Sequence, residues 1–315
     1  MESTGTTPPP AATSPREQWR AQGYLVLRNV LKASHIARLR TIVEHVYAQW
    51  RTCPMTSEPG DYGYEPNAWI ILHLNHPGRF REHPEYLRDL LDTIAEPVAI
   101  RTLEQIMGEV PLFSQAAMFI NPPGHTRPGN WHRDCQYQTE GEEQERAAVR
   151  DEADPPREVH LNIPLLSTRH TWVVPGSHLR WDTPEERDIR LHHSTTKELP
   201  GAVRLELEPG DLAFFHVNSL HRGTYDKDML RRTLNLTYSR ASIVRPASGV
   251  EELNRTKGYV STFQPWCLKP GYLDGVRPET REFFERFIRT YLDSWRPEYL
   301  SDALGAGRLA YFRDF

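Results

Sequence analysis

The stretch Val203-Arg204-Leu205-Glu206-Leu207-Glu208-Pro209-Gly210-Asp211-Leu212-Ala213-Phe214-Phe215-His216 decides the fold. Two short apolar runs, Val203 to Leu207 and Asp211 to His216, flank a Pro-Gly turn, and each has the length of a strand. Working outward, the same signature recurs at Leu112 to Ile120, Val159 to Leu166, Thr171 to Val174 and Arg232 to Ser239. Several short strands separated by Gly and Pro, without helical periodicity between them, predict an antiparallel sandwich or barrel. The helices belong to the flanks and pack on one outer side.

On the N-terminal side, Tyr24-Leu25-Val26-Leu27 reads as a short buried strand. Ser34 then caps a helix carrying Ile36, Leu39, Val43, Val46, Tyr47 and Trp50 at helical spacing. A second helix starts at Pro84, with Leu87, Leu90, Leu91 and Ile94 on one face, and a last one spans 279–295 with Phe283, Phe284, Phe287, Ile288, Tyr291, Leu292 and Trp295. Residues 1–15 are rich in Thr, Pro, Ala and Ser and are expected to form a disordered tail, leaving 16–315 as a single domain. A charge-dense insertion at 138–158 interrupts the strand region. It reads either as a solvated helical excursion or as a lid over the site.

The chain has 315 residues, with 38 Lys and Arg against 42 Asp and Glu, a balance that offers no basic field for nucleic acid. No stretch has the ~18 uncharged apolar residues of a membrane span, and the N-terminal residues, without a basic segment or an apolar run, do not read as a secretory signal. The three cysteines, Cys53, Cys135 and Cys267, are widely spaced and lack a CxxC. A disulfide framework and a thiolate zinc site are therefore not expected, which fits a reducing cytoplasm. The 14 histidines carry more information through their placement.

Asn130-Trp131-His132-Arg133-Asp134 contains a His-x-Asp, and in an extended segment residues two apart turn an imidazole and a carboxylate toward one ion. Downstream, His216 and His221 compete for the role of third ligand. Two His and one carboxylate leave three positions of an octahedral ion open, the arrangement suited to non-haem Fe(II) with O₂ and a bidentate co-substrate. In the strand beginning at Arg232, that arginine shares a face with Leu234, Leu236 and Tyr238. An inward guanidinium among apolar neighbours needs an anion, and a dicarboxylate's distal end suits its fork. The alternative for Arg232 is an ordinary ion pair. Cys135 is expected to point into the core and His178 to be structural.

His132 and Asp134, with His221 89 residues after His132 and Arg232 another 11 on, resemble the phytanoyl-CoA dioxygenase family of Fe(II)- and 2-oxoglutarate-dependent oxygenases. Pro122-Pro123-Gly124, Trp131-His132-Arg133-Asp134 and Val174-Pro175-Gly176-Ser177-His178 add to the resemblance, which covers residues 16–295. It implies a double-stranded β-helix, a cupin-like jelly roll that is mainly β with flanking helices. It also implies that His132, Asp134 and His221 bind iron, with His221 preferred to His216, and that Arg232 binds the distal carboxylate of 2-oxoglutarate. Gln115 matches a position that contacts substrate or co-substrate in such enzymes, the alternative being a buried Gln bonded to backbone.

Where many members have Ser two residues after the distal His, this chain has Gly223, and Thr224 next to it offers a hydroxyl. The implied reaction is oxidation of a small organic molecule, hydroxylation foremost, with O₂ consumed and succinate and CO₂ released. An intact Asp134 separates the chain from halogenating relatives. The breadth of the family points to bacterial secondary metabolism. A metal-dependent hydrolase using the same three residues and a non-catalytic jelly-roll binding protein are the rival readings.

Overall fold

The computed structural model describes residues 14–52, 67–122, 124, 126–244 and 264–295. Cys53, Pro123, the tail up to residue 13 and the part of the expected domain beyond 295 lie outside the described residues.

Among the described residues ten strands form two antiparallel sheets. They are β1 (Tyr24–Leu27), β2 (Ile70–Ile71), β3 (Pro111–Phe119), β4 (Arg127–Pro128), β5 (Glu158–Pro164), β6 (Thr168–Val173), β7 (Val203–Leu207), β8 (Leu212–His216), β9 (His221–Tyr225) and β10 (Thr233–Arg240). The larger sheet runs β1-β8-β5-β10-β3-β2 and the smaller β4-β9-β6-β7. The architecture is a jelly roll whose sheets do not close into a barrel. The turn at Pro209-Gly210 does not make a hairpin. It carries the chain from β7 in the small sheet to β8 in the large one, and Gly210, at φ 104°, adopts the left-handed conformation this crossing requires.

Among the described residues seven helices accompany the sheets: α1 (Pro15–Gln22), α2 (Ala33–Thr52), α3 (Pro84–Ile94), α4 (Pro97–Met107), α5 (Glu142–Asp151), α6 (Pro184–His192) and α7 (Pro278–Tyr291). The apolar stripes of α2, α3, α4 and α7 join the outer face of the large sheet in one core. That face supplies Leu112 and Met118 of β3, Val159, Leu161 and Ile163 of β5, Leu212 and Phe214 of β8, and Leu234, Leu236 and Tyr238 of β10. Tyr238 reaches across to donate its hydroxyl to the Ile94 carbonyl at the end of α3, 2.6 Å away.

The opposite parity of the same strands turns toward the small sheet. Here β10 presents Thr233, Asn235 and Thr237, opposite Pro164, Asn162 and His160 of β5. The Asn235 amide donates to Asn162 Oδ1 (2.9 Å) and the Asn162 amide to Thr171 Oγ1 of β6 (3.2 Å), so the inner face is wired by polar side chains. At one end the space is filled by Val173, Leu205, Leu207, Ala213 and Phe215. No described helix is long and apolar enough to cross a membrane.

Candidate metal centre

The backbone joins the two segments that carry His132 and His221. The His132 amide donates to the His221 carbonyl and the His221 amide to the His132 carbonyl, both at 3.0 Å, so their rings lie 4.2 Å apart. The Asp134 amide then donates to the Val217 carbonyl (3.0 Å) and opens a short 3-10 turn, Asp134–Tyr137. Arg133, between the two, points the other way and is fully buried. Its guanidinium donates twice to Asp182 Oδ1 (2.9 and 2.8 Å) and also to the carbonyls of Ser177, Arg180 and Asn218.

Asp182 also accepts from Arg190 of α6 (2.7 Å), and Arg190 donates to Glu145 of α5 (2.7 Å). The charged 138–158 segment is therefore docked through the buried Glu145 and Val149, while Arg146 and Arg150 remain on its solvent side. Cys135 is buried as expected, and burial pushes its thiol up to about 12.

The hydrogen bonds fix which ring nitrogens face the centre. His132 Nδ1 lies 2.7 Å from the Asn130 carbonyl and His221 Nδ1 2.8 Å from the Ser219 carbonyl. A carbonyl only accepts, so both Nδ1 atoms carry hydrogens and both Nε2 atoms present their outer edge to Asp134. The distances to Asp134 Oδ1 are 3.4 Å from His132 and 3.5 Å from His221. One ligand atom from each of these residues falls within 4.8 Å of the others, and this is the metal-competent cluster found among the described residues. Burial holds the His221 imidazolium down to about 3. Burial also opposes the Asp134 carboxylate, but the surrounding imidazoles outweigh it and keep that carboxyl well below the usual range. A carboxylate and two imidazole edges pre-oriented by backbone carbonyls make a donor set that fits a divalent ion.

Sequence reasoning missed His160. Its Nε2 donates to Asp134 Oδ2 at 2.7 Å while its Nδ1 accepts from the Thr237 hydroxyl at 2.9 Å. The carboxylate is thus gripped on the oxygen turned away from the two ligand-type histidines. A signal existed: His160 and Asn162 alternate with Val159, Leu161 and Ile163, and the matching parity of β10 is also polar. His216 lies elsewhere, with its Nε2 2.9 Å from the Glu152 carbonyl and its ring stacked on Trp19.

Arg232 stands on the helix-facing side of its strand. Its Nε and Nη2 donate to the Glu44 carboxylate of α2 (2.8 and 3.1 Å), and the guanidinium covers the Tyr47 ring at 4.1 Å. The ion-pair alternative therefore describes Arg232, and its apolar neighbours Leu234, Leu236 and Tyr238 mark the helix core instead of the site. The inward guanidinium belongs to Arg231. It is buried beside Phe119 (4.9 Å) and Tyr225 (5.6 Å), its Nε has no partner, and no carboxylate pairs with it among the described residues. Burial lowers it to about 10.

Gln115 lies on the inner face of β3, in register with Thr237. Thr224 alternates with His221 and so faces away from it, its hydroxyl 3.4 Å from the His170 carbonyl. The hydroxyl next to Gly223 is that of Tyr225, whose Oη lies 3.0 Å from where a Cβ on Gly223 would sit.

A family model described as phytanoyl-CoA dioxygenase matches residues 19–226. No curated protein matches the chain. Among solved structures, EctD from S. alaskensis with 2-oxoglutarate and 5-hydroxyectoine is similar at a TM-score of 0.51 and 19% identity, over 76% of this chain and 80% of that one. The same protein with bound Fe gives a TM-score of 0.51 and 20% identity, over 78% and 85%.

Proposed function

The chain belongs to the phytanoyl-CoA dioxygenase family of non-haem Fe(II)- and 2-oxoglutarate-dependent oxygenases, and from that premise we propose that it hydroxylates a small polar organic molecule. The observation that carries this reading is the pair of imidazoles held as Nδ1–H tautomers by backbone carbonyls, with both Nε2 edges turned to Asp134 Oδ1. His132, Asp134 and His221 hold the iron in this reading. Bound iron, with 2-oxoglutarate and O₂, supplies the oxidant for an unactivated C–H bond while the co-substrate leaves as succinate and CO₂.

The remaining roles fall to this chain's own residues. Arg231, in place of Arg232, takes the distal carboxylate of 2-oxoglutarate, because a buried guanidinium without a counter-charge is stabilised by an anion delivered to it. His160 is a positioning residue that turns the Asp134 carboxylate through its second oxygen. Asn162, Asn235 and Thr237 line the inner face and favour a polar substrate over a long acyl chain. Gln115 shares that face and is positioned for substrate or co-substrate. A hydrolase would leave the inward Arg231 without a task.

The test is anaerobic titration with Fe(II) and 2-oxoglutarate, followed by a metabolite screen for stoichiometric succinate release. A weak visible charge-transfer band that needs both additions is expected, and a protein that binds no iron and shows no band overturns the reading. Asp134→Ala should abolish the band and substrate-coupled succinate while far-UV circular dichroism stays unchanged. Full turnover by this variant contradicts the ligand assignment.

A further inference from the structure

A second guanidinium shares the inner face with Arg231. Arg127 of β4 is in register with Tyr225 of β9, so the two side chains emerge on the same side, the side of Gly223 and His221. Its guanidinium stacks on Trp69 at 4.2 Å and lies 5.7 Å from the Tyr225 ring, which Arg231 approaches at 5.6 Å. Tyr225 is thus flanked by two cations. Like that of Arg231, the Nε of Arg127 is buried without an acceptor, and no carboxylate pairs with either arginine among the described residues. Asp226, which follows Tyr225, is engaged by the Thr126 hydroxyl (3.3 Å) and the Asp228 amide (3.0 Å).

The other buried acids are also committed. Glu145 and Asp182 hold Arg190, Glu186 holds Arg180, and Asp211 holds Arg28. With a divalent ion, the Asp134 carboxylate, the 2-oxoglutarate dianion and two guanidiniums, the space between the sheets keeps one positive charge. In a partly desolvated site that excess favours one more anion.

We propose that Arg127, backed by Trp69 and Tyr225, binds a carboxylate of the substrate, so that this enzyme oxidises small organic acids. The inference rests on the Fe(II)/2-oxoglutarate reading in one respect, that 2-oxoglutarate already satisfies Arg231. The stacked guanidinium leaves its edge free for the two parallel hydrogen bonds that a carboxylate accepts.

Isothermal titration of benzoate, phenyl phosphate and benzamide into the full-length protein, loaded anaerobically with Fe(II) and saturating 2-oxoglutarate, tests the proposal. Benzoate is expected to bind at one equivalent per chain and at least about tenfold more tightly than benzamide, the preference of a charge-assisted pair. Arg127→Gln should remove that preference and leave the 2-oxoglutarate band intact, and Arg127→Lys, which keeps the charge, should retain part of it. Equal binding of benzamide and benzoate overturns the site. So does benzoate binding that appears only when 2-oxoglutarate is absent, since both arginines would then grip one anion. Tighter binding of phenyl phosphate overturns the carboxylate assignment. If the wild type shows no band yet binds benzoate through Arg127, the oxygenase reading fails and the anion site stands.

Discussion

The two faces of β10 put neighbouring residues to opposite uses. On the outer face Leu234, Leu236 and Tyr238 are packed into the helix core, and Arg232 at its edge is neutralised by Glu44. On the inner face Asn235 and Thr237 meet polar partners, the Thr233 hydroxyl has none, and Arg231 has no counter-charge among the described residues. One face is complete without a ligand and the other is not. The contrast teaches that a buried cation reads as a site only when its own partners are counted, because Arg231 and Arg232 are nearly equally hidden, at 2% and 4% exposure.

Acid should have the largest effect and erase the contrast. His170, beside Arg231, is held by burial down to about 4, His178 likewise to about 4 and His216 to about 3. Their unfolded values lie near 6.5, so the native state binds fewer protons and its stability is complete only above about pH 6.5. As the pH falls from there toward 4, the urea midpoint should fall continuously, and a flat profile over that window would show these rings to be solvated.

Leu236→Ala comes next. It opens the outer core and should cost about 2–5 kcal/mol in chemical denaturation, with 2-oxoglutarate binding by the folded protein unchanged. Arg231→Gln should do the reverse. Affinity for 2-oxoglutarate, followed through the anaerobic band, is expected to drop about 10–100-fold with no loss of thermal stability. The smallest effect is that of Arg232→Gln, whose partner Glu44 is half exposed, so it should cost under about 1 kcal/mol and leave the band as it was. If Arg232→Gln weakens 2-oxoglutarate and Arg231→Gln does not, the assignment of the two faces is inverted.

Much of this arrangement is legible in the sequence. The strands at Val203 and Asp211 are placed by their Pro-Gly turn, and the pairing of His132 with Asp134 follows from the His-x-Asp spacing, while the choice of His221 over His216 comes only from the family resemblance. The strand β9 is not visible, because His221-Arg222-Gly223-Thr224-Tyr225 has no apolar alternation and is a strand only through its neighbours. Arg231 escapes for a different reason. Both faces of β10 are buried, and parity alone groups residues without saying which group looks at the site. Apolar neighbours suggested the interior, whereas here the interior of the jelly roll is the polar side. That polar stripe, shared by β5 and β10, was the available clue to His160 as well.

The strand order has a consequence for synthesis. β10 is the last strand among the described residues, yet it lies between β5 and β3. Until residue 240 has left the ribosome, those two strands expose unpaired edges to each other across an empty slot. His132 also emerges well before the His221 backbone that fixes its ring. A nascent chain therefore has no preformed cage in which to capture iron, and loading must wait for a finished sheet.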